Sequence, residues 1–387
     1  MNTKNILLTN LRSAVSLDLA RAFSMQGHKV FGIDSFSNPL IKKTRYLAHT
    51  KQVRPPRQEF ENYKKDVIDF VNENKIDVIV PVYEEVFWIS KLKPDLPSHV
   101  FCFCDDFDQM NTLHNKSSFI NLCESFNIQV PNTTEVSSLE EVQKSWDNSD
   151  RILKPVYSRF ASNVFFSKDT SFKDLNSANI DISSSRPWVY QERIKGQEYC
   201  SYTLAHQGKV SGHMIYAHDF TAGKGAGISF KSVESKEILE WVVNFVQKTN
   251  YTGQICFDLI VNENGIYPLE CNPRATSGLH LLSQLNEFPE MILNPREEIT
   301  TLKEGHKAYL SKMAMVLYGL VQITNLKQAK SFFDHMLKGR NVLQHYTDEN
   351  YVIRQLSTLL TLFKIARQTK VSLLEASTLD IEYNGIK

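Results

Sequence analysis

Asp258, Glu270 and Asn272 are the residues whose types and spacing most clearly predict chemistry in this chain of 387 residues. Asp258 lies inside an apolar, β-branched run, and the turn signal Asn262-Glu263-Asn264-Gly265 separates that run from a second one. This pattern predicts a β-hairpin. With a three-residue loop, Glu263 to Gly265, Asp258 lies opposite Glu270, and Asn272 falls on the same face.

A three-residue loop would place two like charges about 5 Å apart, and a buried acid is costly unless it is paired or binds a metal. Two carboxylates and an amide oxygen suit Mg²⁺, with Mn²⁺ as the alternative. Arg274 follows within reach of an anion bound to that metal. A two-residue loop, Asn264-Gly265, would instead place Asp258 opposite Cys271 as an isolated strand acid. Spacing alone leaves both registers open.

The composition is typical of a globular protein, with 42% hydrophobic residues, 22% charged residues and a formal net charge of +1. This balance argues against a nucleic acid or a membrane surface as the main partner. No apolar run approaches the roughly 18 residues that span a bilayer, and the N-terminus lacks signal-peptide features. We therefore expect a cytoplasmic protein whose six cysteines are reduced.

Strand and helix patterns alternate across residues 1–110, which predicts a parallel α/β sheet. The first turn, residues 9–14, lacks the Gly-x-Gly-x-x-Gly of a dinucleotide site, and this argues against NAD. Residues 291–387 are largely helical in pattern and contain no recognisable catalytic arrangement. They are expected to pack on the core or to form the interface of a homodimer.

The run from Asp258 to Leu269-Glu270-Cys271-Asn272-Pro273-Arg274 resembles the metal-binding hairpin of the ATP-grasp superfamily. Its carboxylate–amine ligase members include D-alanine–D-alanine ligase, biotin carboxylase and carbamoyl phosphate synthetase. The resemblance covers about residues 1–290. It implies an α/β chain, α+β in the ATP-grasp part. The implied order is a Rossmann-like domain (1–110), a two-lobed ATP-grasp unit (111–290, lid about 133–192) and a mostly helical extension (291–387).

The resemblance also implies which residues contact ATP. A lysine that opens a helix and a lysine before a proline on the lid strand would hold the phosphates, and these are Lys116 and Lys154. Main-chain groups of the hinge residues Glu192, Arg193 and Ile194 would pair with adenine. Glu198 would accept the ribose hydroxyls, and Arg274 would be catalytic. The ordinary alternative is a solvated lysine for Lys116 and a surface strand with solvated acids for the hinge and Glu198.

Several other positions are candidates for contacts with phosphate or substrate. Residues 157–162 stand where relatives carry a glycine-rich flap, but they contain no glycine, and Arg159 is the candidate donor there. Lys224 lies in the glycine-rich loop 221–227. Ser277 and Gly278 open a predicted helix whose N-terminus could hold a carboxylate. Relatives line their substrate pockets with the first domain, so that Arg12 and Glu84 are also candidates.

The function that the resemblance implies is an ATP-dependent ligase. It would phosphorylate a substrate carboxylate to an acyl phosphate, join it to an amine in a carbon–nitrogen (amide) bond, and release ADP and phosphate. ATP and Mg²⁺ are the implied cofactors, and a small-molecule carboxylate and an amine are the implied partners. The alternative is an ATP-binding regulatory or structural protein with a degenerate ATP-grasp site, which the glycine-free flap motivates.

Overall fold

A computed structural model describes residues 3–147, 149–158, 163–178, 180–222, 226–302, 309–343 and 351–385. The chain begins with five strands: β1 (Asn5–Leu8), β2 (Lys29–Asp34), β3 (His49–Gln52), β4 (Val78–Val80) and β5 (Phe101–Cys102). They form a parallel sheet in the order β3-β2-β1-β4-β5, as the alternating pattern predicted. The helices are α1 (Ala14–Met25), α2 (Phe60–Glu73), α3 (Glu85–Leu92) and α4 (Phe107–His114), with a 3₁₀ turn at Lys93–Asp95.

A second sheet is small and antiparallel. Helix α5 (Lys116–Ser125) leads into it, and its elements are β6 (Thr133–Val136), α6 (Leu139–Ser145), β7 (Arg151–Pro155), β8 (Phe165–Phe166), α7 (Phe172–Ser177) and β9 (Trp188–Glu192). The strand order is β6-β9-β7-β8. Leu153, Trp188 and Tyr190 are buried together in its core. Because side chains alternate along a strand, Lys154 points to the face opposite this core.

The largest sheet contains the hairpin that the sequence predicted. Its principal strands are β10 (Gln197–His206), β11 (Lys209–Ala217), β14 (Ser229–Val233), β15 (Gly253–Asn262) and β16 (Gly265–Asn272), and a short ribbon, β12 (Thr221–Ala222) with β13 (Ala226–Gly227), precedes β14. The amphipathic helix α8 (Lys236–Thr249) precedes the hairpin, and α9 (Leu279–Leu282) and α10 (Phe288–Leu293) follow it. The sheet is completed by β17 (Thr300–Thr301), β18 (Tyr309–Leu310) and β19 (Arg340–Asn341), in the order β16-β15-β10-β11-β14-β18-β19 with β17 beside β11.

The rest of the chain is mostly helical, as predicted. It contains α11 (Lys312–Ala314), a π-helical turn (Met315–Gly319), a 3₁₀ turn (Leu320–Gln322), α12 (Leu326–Lys338), α13 (Tyr351–Thr369) and α14 (Leu373–Ala376). Across the described residues, every helix is too short or too polar to cross a lipid bilayer.

The first sheet and the large sheet share their apolar cores. Phe23 of α1 packs in one cluster with residues of α9 and α10, which cover the large sheet. In a second cluster, Phe119 of α5 lies 6.1 Å from Phe257 of β15 between ring centroids. This packing brings the carboxyl ends of β1 and β4 close to the hairpin.

The last described segment, residues 372–385, returns to the first sheet. Arg12 Nη1 lies 2.8 Å from Asp380 Oδ1, and Trp88 Nε1 donates a 2.7 Å hydrogen bond to the carbonyl oxygen of Ile381. Arg57 forms a further ion pair with Glu382. The segment therefore covers the edge of the sheet where strands β1 and β2 end.

Candidate active site

The hairpin of β15 and β16 closes through a two-residue turn that the sequence analysis did not consider. Asn262 pairs with Gly265, so that Glu263 and Asn264 form the loop. Gly265 has φ +134°, and an added Cβ atom would lie 2.8 Å from the Gln129 side-chain oxygen. The positive φ favours glycine here, whereas the end of the Gln129 side chain could move to make space. Both loops weighed from the sequence, residues 263–265 and residues 264–265, place the turn wrongly.

A β-bulge nevertheless restores the pairing that the three-residue loop predicted. Leu259 pairs with Pro268, whereas Asp258 pairs with Glu270, so Leu269 is an extra residue on β16. In a regular ladder without the bulge, Leu269 would pair with Asp258, and Glu270 would lie on the opposite face, because side chains alternate along a strand. Pro268 is tolerated since β16 is the edge strand of the sheet. The bulge thus brings the two carboxylates together.

One face of the large sheet gathers the predicted ligands. Asn272 pairs with Cys256, two residues from Asp258 on the same face, and its Nδ2 lies 3.4 Å from Asp258 Oδ2 and 3.3 Å from Glu270 Oε1. On β10, Cys200 is opposite Asp258, and Glu198 is opposite Ile260. The acid predicted for ribose therefore shares a face with the acids predicted for metal.

Lys116 reaches this face from the first turn of α5. The side chain of Asn115 caps that helix by accepting a 2.9 Å hydrogen bond from the backbone N–H of Ser118. Lys116 Nζ lies 3.1 Å from Glu270 Oε2 and donates to the carbonyl oxygen of Ser158 at 3.3 Å. Lys116 is only 4% exposed, so the alternative of a solvated first-turn lysine is wrong.

The charges on this face shift one another's pKa values. Burial, and then the negative charge of Glu270, raises the pKa of Asp258 to about 8. Burial also opposes ionisation of Glu270, but the charges of Lys116 and Lys154 outweigh it and hold the pKa of Glu270 below its ordinary value. Burial, together with the neighbouring charge of Lys116, lowers the pKa of Lys154 to about 8. Both lysines therefore act on the same carboxylate, Glu270.

Arg274 connects the hairpin to the first sheet. Its Nη2 donates a 2.9 Å hydrogen bond to Asn272 Oδ1, and its Nε lies 2.7 Å from Glu84 Oε1. Glu84 is fully buried, and it raises the pKa of Arg274 against the opposing effect of burial. The Arg274 guanidinium lies 5.2 Å from the ring centroid of Tyr83, which adopts a left-handed φ of +61°. Such strained backbone is frequent at functional sites.

The comparisons with known proteins identify part of the chain. Residues 113–278 match a family model described as an ATP-grasp domain. This segment is an ATP-grasp domain. The resemblance that the hairpin motif carries is thereby confirmed, and the segment contains the hairpin together with Lys116, Lys154 and Glu198.

Known relatives of the ATP-grasp domain are distant. Multifunctional protein pyr-3 of Neurospora crassa is 23% identical over 191 residues, which are 46% of this chain and 10% of that protein. The chain spans about a tenth of the length of the curated relatives that it matches.

Two solved structures share the fold of most of the chain. An L-amino acid ligase from Bacillus licheniformis is 17% identical with a TM-score of 0.61, and the match covers 77% of this chain and 76% of that one. An N5-carboxyaminoimidazole synthetase from Staphylococcus aureus, complexed with ADP, is 12% identical with a TM-score of 0.64, and it covers 87% of each chain. At these identities the likeness concerns the fold.

The predicted hinge of the ATP-grasp domain borders a cavity of about 550 Å³, which is lined by residues 192–196 and by the tip of the hairpin. Ile194 is among the lining residues. The Glu192 side chain accepts a 3.2 Å hydrogen bond from the backbone N–H of Asn132, and Arg193 Nη1 lies 3.3 Å from Asp150 Oδ1. These side chains hold the hinge to the small sheet and leave a cavity beside it.

The remaining candidates are placed differently. Arg159 and Lys224 lie outside the described residues. Gly278 precedes α9, which has only four residues, and an added Cβ atom would lie 2.5 Å from the Cβ atom of Tyr202. Ser277 stands beside it, and the structure provides no long helix at this point. Close packing against the large sheet is therefore sufficient to explain Gly278.

Two residues of the first domain, Arg12 and Glu84, were predicted only as general candidates for the substrate pocket. Arg12 was a pocket candidate, but it lies beneath residues 372–385 and pairs with Asp34 and Asp380. Glu84 was a minor candidate, yet it pairs with the predicted catalytic arginine. An acid at the carboxyl end of a parallel strand was the available signal for Glu84.

Proposed function

We propose that the chain is an ATP-dependent ligase. It would phosphorylate a substrate carboxylate, join the resulting acyl phosphate to an amine in an amide bond, and release ADP and phosphate. One observation carries the proposal: Asp258, Glu270 and Asn272 share one face of the hairpin, where Lys116 pairs with Glu270 and Arg274 bonds to Asn272. A regulatory nucleotide-binding domain would not need two opposed carboxylates beside an arginine.

The residues of the hairpin fit a hard divalent cation. Asp258 and Glu270 face each other, and burial beside a like charge raises the pKa of Asp258. A bound cation would relieve this repulsion. Among the described residues no cluster of three or more His, Cys, Asp and Glu side chains could hold a metal. The proposed site has two carboxylates and one amide, and phosphate oxygens would complete it. When bound, Mg²⁺ would neutralise phosphate charge and align the transfer.

The other roles follow from position and charge. Lys116 and Lys154 would hold the ATP phosphates, since both act electrostatically on Glu270. Arg274 would stabilise the charge that develops on the transferred group and then on the oxyanion of the acyl carbon. The hinge residues Glu192, Arg193 and Ile194 would bind adenine through their main chain, and Glu198 would accept the ribose hydroxyls. The adjoining cavity supports this assignment.

Other parts of the proposal rest on the sequence and on the names of relatives. One neighbour is named a ligase of L-amino acids and another was solved with ADP, which supports ATP chemistry on an amino acid or a small carboxylate. The boundaries 1–110, 111–290 and 291–387, and the lid at about 133–192, belong to the proposal. Substrate contacts by Arg159, Lys224, Ser277 and Gly278, and a cytoplasmic location, also remain predictions.

The test is Mg²⁺-dependent ADP formation from ATP with pooled amino acids and small carboxylates. Wild type should form ADP when a pool contains the substrate, and Glu270→Gln should form none while circular dichroism shows that it remains folded. AMP and pyrophosphate as products would contradict the acyl phosphate route. ATP binding without stimulation by any pool would favour the regulatory alternative.

A further inference from the structure

Helix α13 is nineteen residues long and is poorly covered by the rest of the chain. Among its described side chains only Tyr351, at its start, is buried. Four large apolar side chains of this helix are at least half-exposed: Ile353 at 61%, Leu356 at 50%, Leu360 at 70% and Phe363 at 52%. Such exposure is unusual in a monomer and marks interaction sites.

These four residues, which we name the α13 stripe, lie on one side of the helix. Their spacing is three, four and three residues, which is the spacing of the a and d positions that pack two helices together. Arg354 lies away from the stripe, Lys364 borders it, and Arg367 takes the next position of the repeat beyond Phe363, so that no charge falls within the seam itself. The stripe therefore presents an uninterrupted apolar seam.

The α13 stripe belongs to a region that concentrates exposed apolar side chains. Of the fourteen large hydrophobic residues that are exposed in the described parts of the chain, eleven lie between residues 316 and 363. Besides the stripe they are Val316, Leu317, Leu320 and Val321 in the short turns, and Leu326, Phe333 and Leu337 on α12. Surface apolar residues elsewhere are single and need no explanation.

We propose that the α13 stripe packs antiparallel against the α13 stripe of a second copy of this chain. The spacing of three, four and three is the same in both directions, so a two-fold axis near Thr358 superposes the stripe on itself. Ile353 of one copy then meets Phe363 of the other, and Leu356 meets Leu360. Self-complementarity of one patch is the requirement for an isologous dimer.

Charge favours the antiparallel arrangement. Every charged residue of α13 is basic. A parallel pair would place Arg367, which takes the a position after Phe363, beside its own copy, where like charges repel. The antiparallel pair, centred on Thr358, places the two copies of Arg367 at opposite ends of the seam and therefore separates them.

The exposed area of the stripe can be compared with that of a standard interface. If a fully exposed large apolar residue presents about 200 Å², the four stripe residues present roughly 450 Å². Leu326, Phe333 and Leu337 of α12 present a similar amount by the same estimate of about 200 Å² each. The stripe thus supplies about half of the roughly 800 Å² per partner of a standard interface, and an interface that also buries the α12 residues would reach that area.

The experiment is sedimentation velocity of the full chain over a concentration series. Wild type should sediment as a dimer of twice the 44.5 kDa chain mass, and Leu360→Glu should be a monomer with unchanged circular dichroism. Met25→Glu is the matched control, because Met25 is also 70% exposed but lies on α1, and it should stay dimeric. A monomeric wild type, or a dimeric Leu360→Glu, would overturn the proposal.

A mixing experiment tests the register. Leu356→Lys should also be monomeric by itself, but when mixed with Leu360→Glu it should form a mixed dimer, because these positions face each other across the antiparallel pair. A parallel pair opposes identical positions and would not be rescued in this way. Failure of the mixture to dimerise would contradict the antiparallel stripe.

Discussion

Two groups of buried charges lie at strand ends in this molecule, and they differ in whether the chain itself balances their charge. In the first, Arg12 lies 2.5 Å from Asp34 and 2.8 Å from Asp380, so one cation is matched by carboxylates of the same chain. In the second, Asp258 and Glu270 face each other on the hairpin, and Glu270 keeps 30% of its side chain exposed. The first group is closed by residues 372–385, whereas the second is open.

This difference separates a structural ion pair from the proposed metal site. Residue type does not distinguish them, since both groups contain acids beside an arginine at the end of a strand. The Arg12 group is satisfied by the fold, and a ligand would have to displace the C-terminal segment to reach it. The hairpin group holds two opposed acids, and an added cation would relieve their repulsion.

The largest effect is expected for Asp258→Asn. ADP formation should fall by about 10³-fold, because the metal stabilises the transferring phosphoryl group by several kcal/mol. The free energy of unfolding at neutral pH should stay equal or rise, since burial beside Glu270 raises the pKa of Asp258 to about 8, and the amide removes the cost of protonating this carboxyl on folding. Activity assays and urea denaturation measure the two quantities. If activity and stability were lost together, Asp258 would have a structural role instead.

Arg12→Met should have the converse effect. Removing one member of a buried ion pair leaves the other uncompensated, so the free energy of unfolding should fall by about 3–5 kcal/mol. ADP formation per folded molecule should not change. Arg12→Lys is the control, and it should lose less stability because it keeps the charge but not the two-pronged geometry. A stable Arg12→Met variant without activity would place Arg12 in the active site.

A smaller effect is expected from pH through Lys154. Its pKa is lowered to about 8 by burial and by the charge of Lys116, so the ligand-free protein loses this cation as the pH rises through 8. Because the protonated lysine binds phosphate, the apparent Kd for ATP should increase about tenfold between pH 7 and pH 9. Lys154→Met should bind weakly with a flat profile. An equally steep profile in that variant would exclude Lys154 as the source.

The smallest effect is expected for Glu84→Gln. The amide keeps the shape of the side chain but loses the charge that faces Arg274 Nε at 2.7 Å, so kcat should fall about tenfold while the Kd for ATP stays within twofold. Glu85→Gln is a matched control, because Glu85 is also buried but bonds to Tyr63. Equal losses in both variants would indicate general damage to the fold.

The sequence predicted the parallel first sheet and the hairpin, and one of the two registers that spacing left open opposed Asp258 and Glu270. That register had a three-residue loop, whereas the structure reaches the same pairing with a two-residue loop and a bulge at Leu269. A bulge depends on the neighbouring strand and on the edge position of β16, which local spacing does not contain. Spacing therefore included the correct pairing among its alternatives, but not the geometry that forms it.

Contacts between distant parts of the chain were the least predictable. Glu84 and Arg274 meet because the first sheet packs on the large sheet, and Arg12 is covered because residues 372–385 return to that edge. Neither contact has a signal in local composition or periodicity. Lys116 was identified by resemblance alone, and its burial became visible only when α5 was placed against β16.

The central claim is that the hairpin carboxylates hold the cation that accompanies ATP. Calorimetric titration of wild type and Glu270→Gln with ATP, with and without Mg²⁺, tests it most directly. Wild type should bind ATP more tightly when Mg²⁺ is present, and Glu270→Gln should bind with the same weaker affinity in both conditions. An equal gain from Mg²⁺ in the two proteins would contradict the assignment of the hairpin as the metal site.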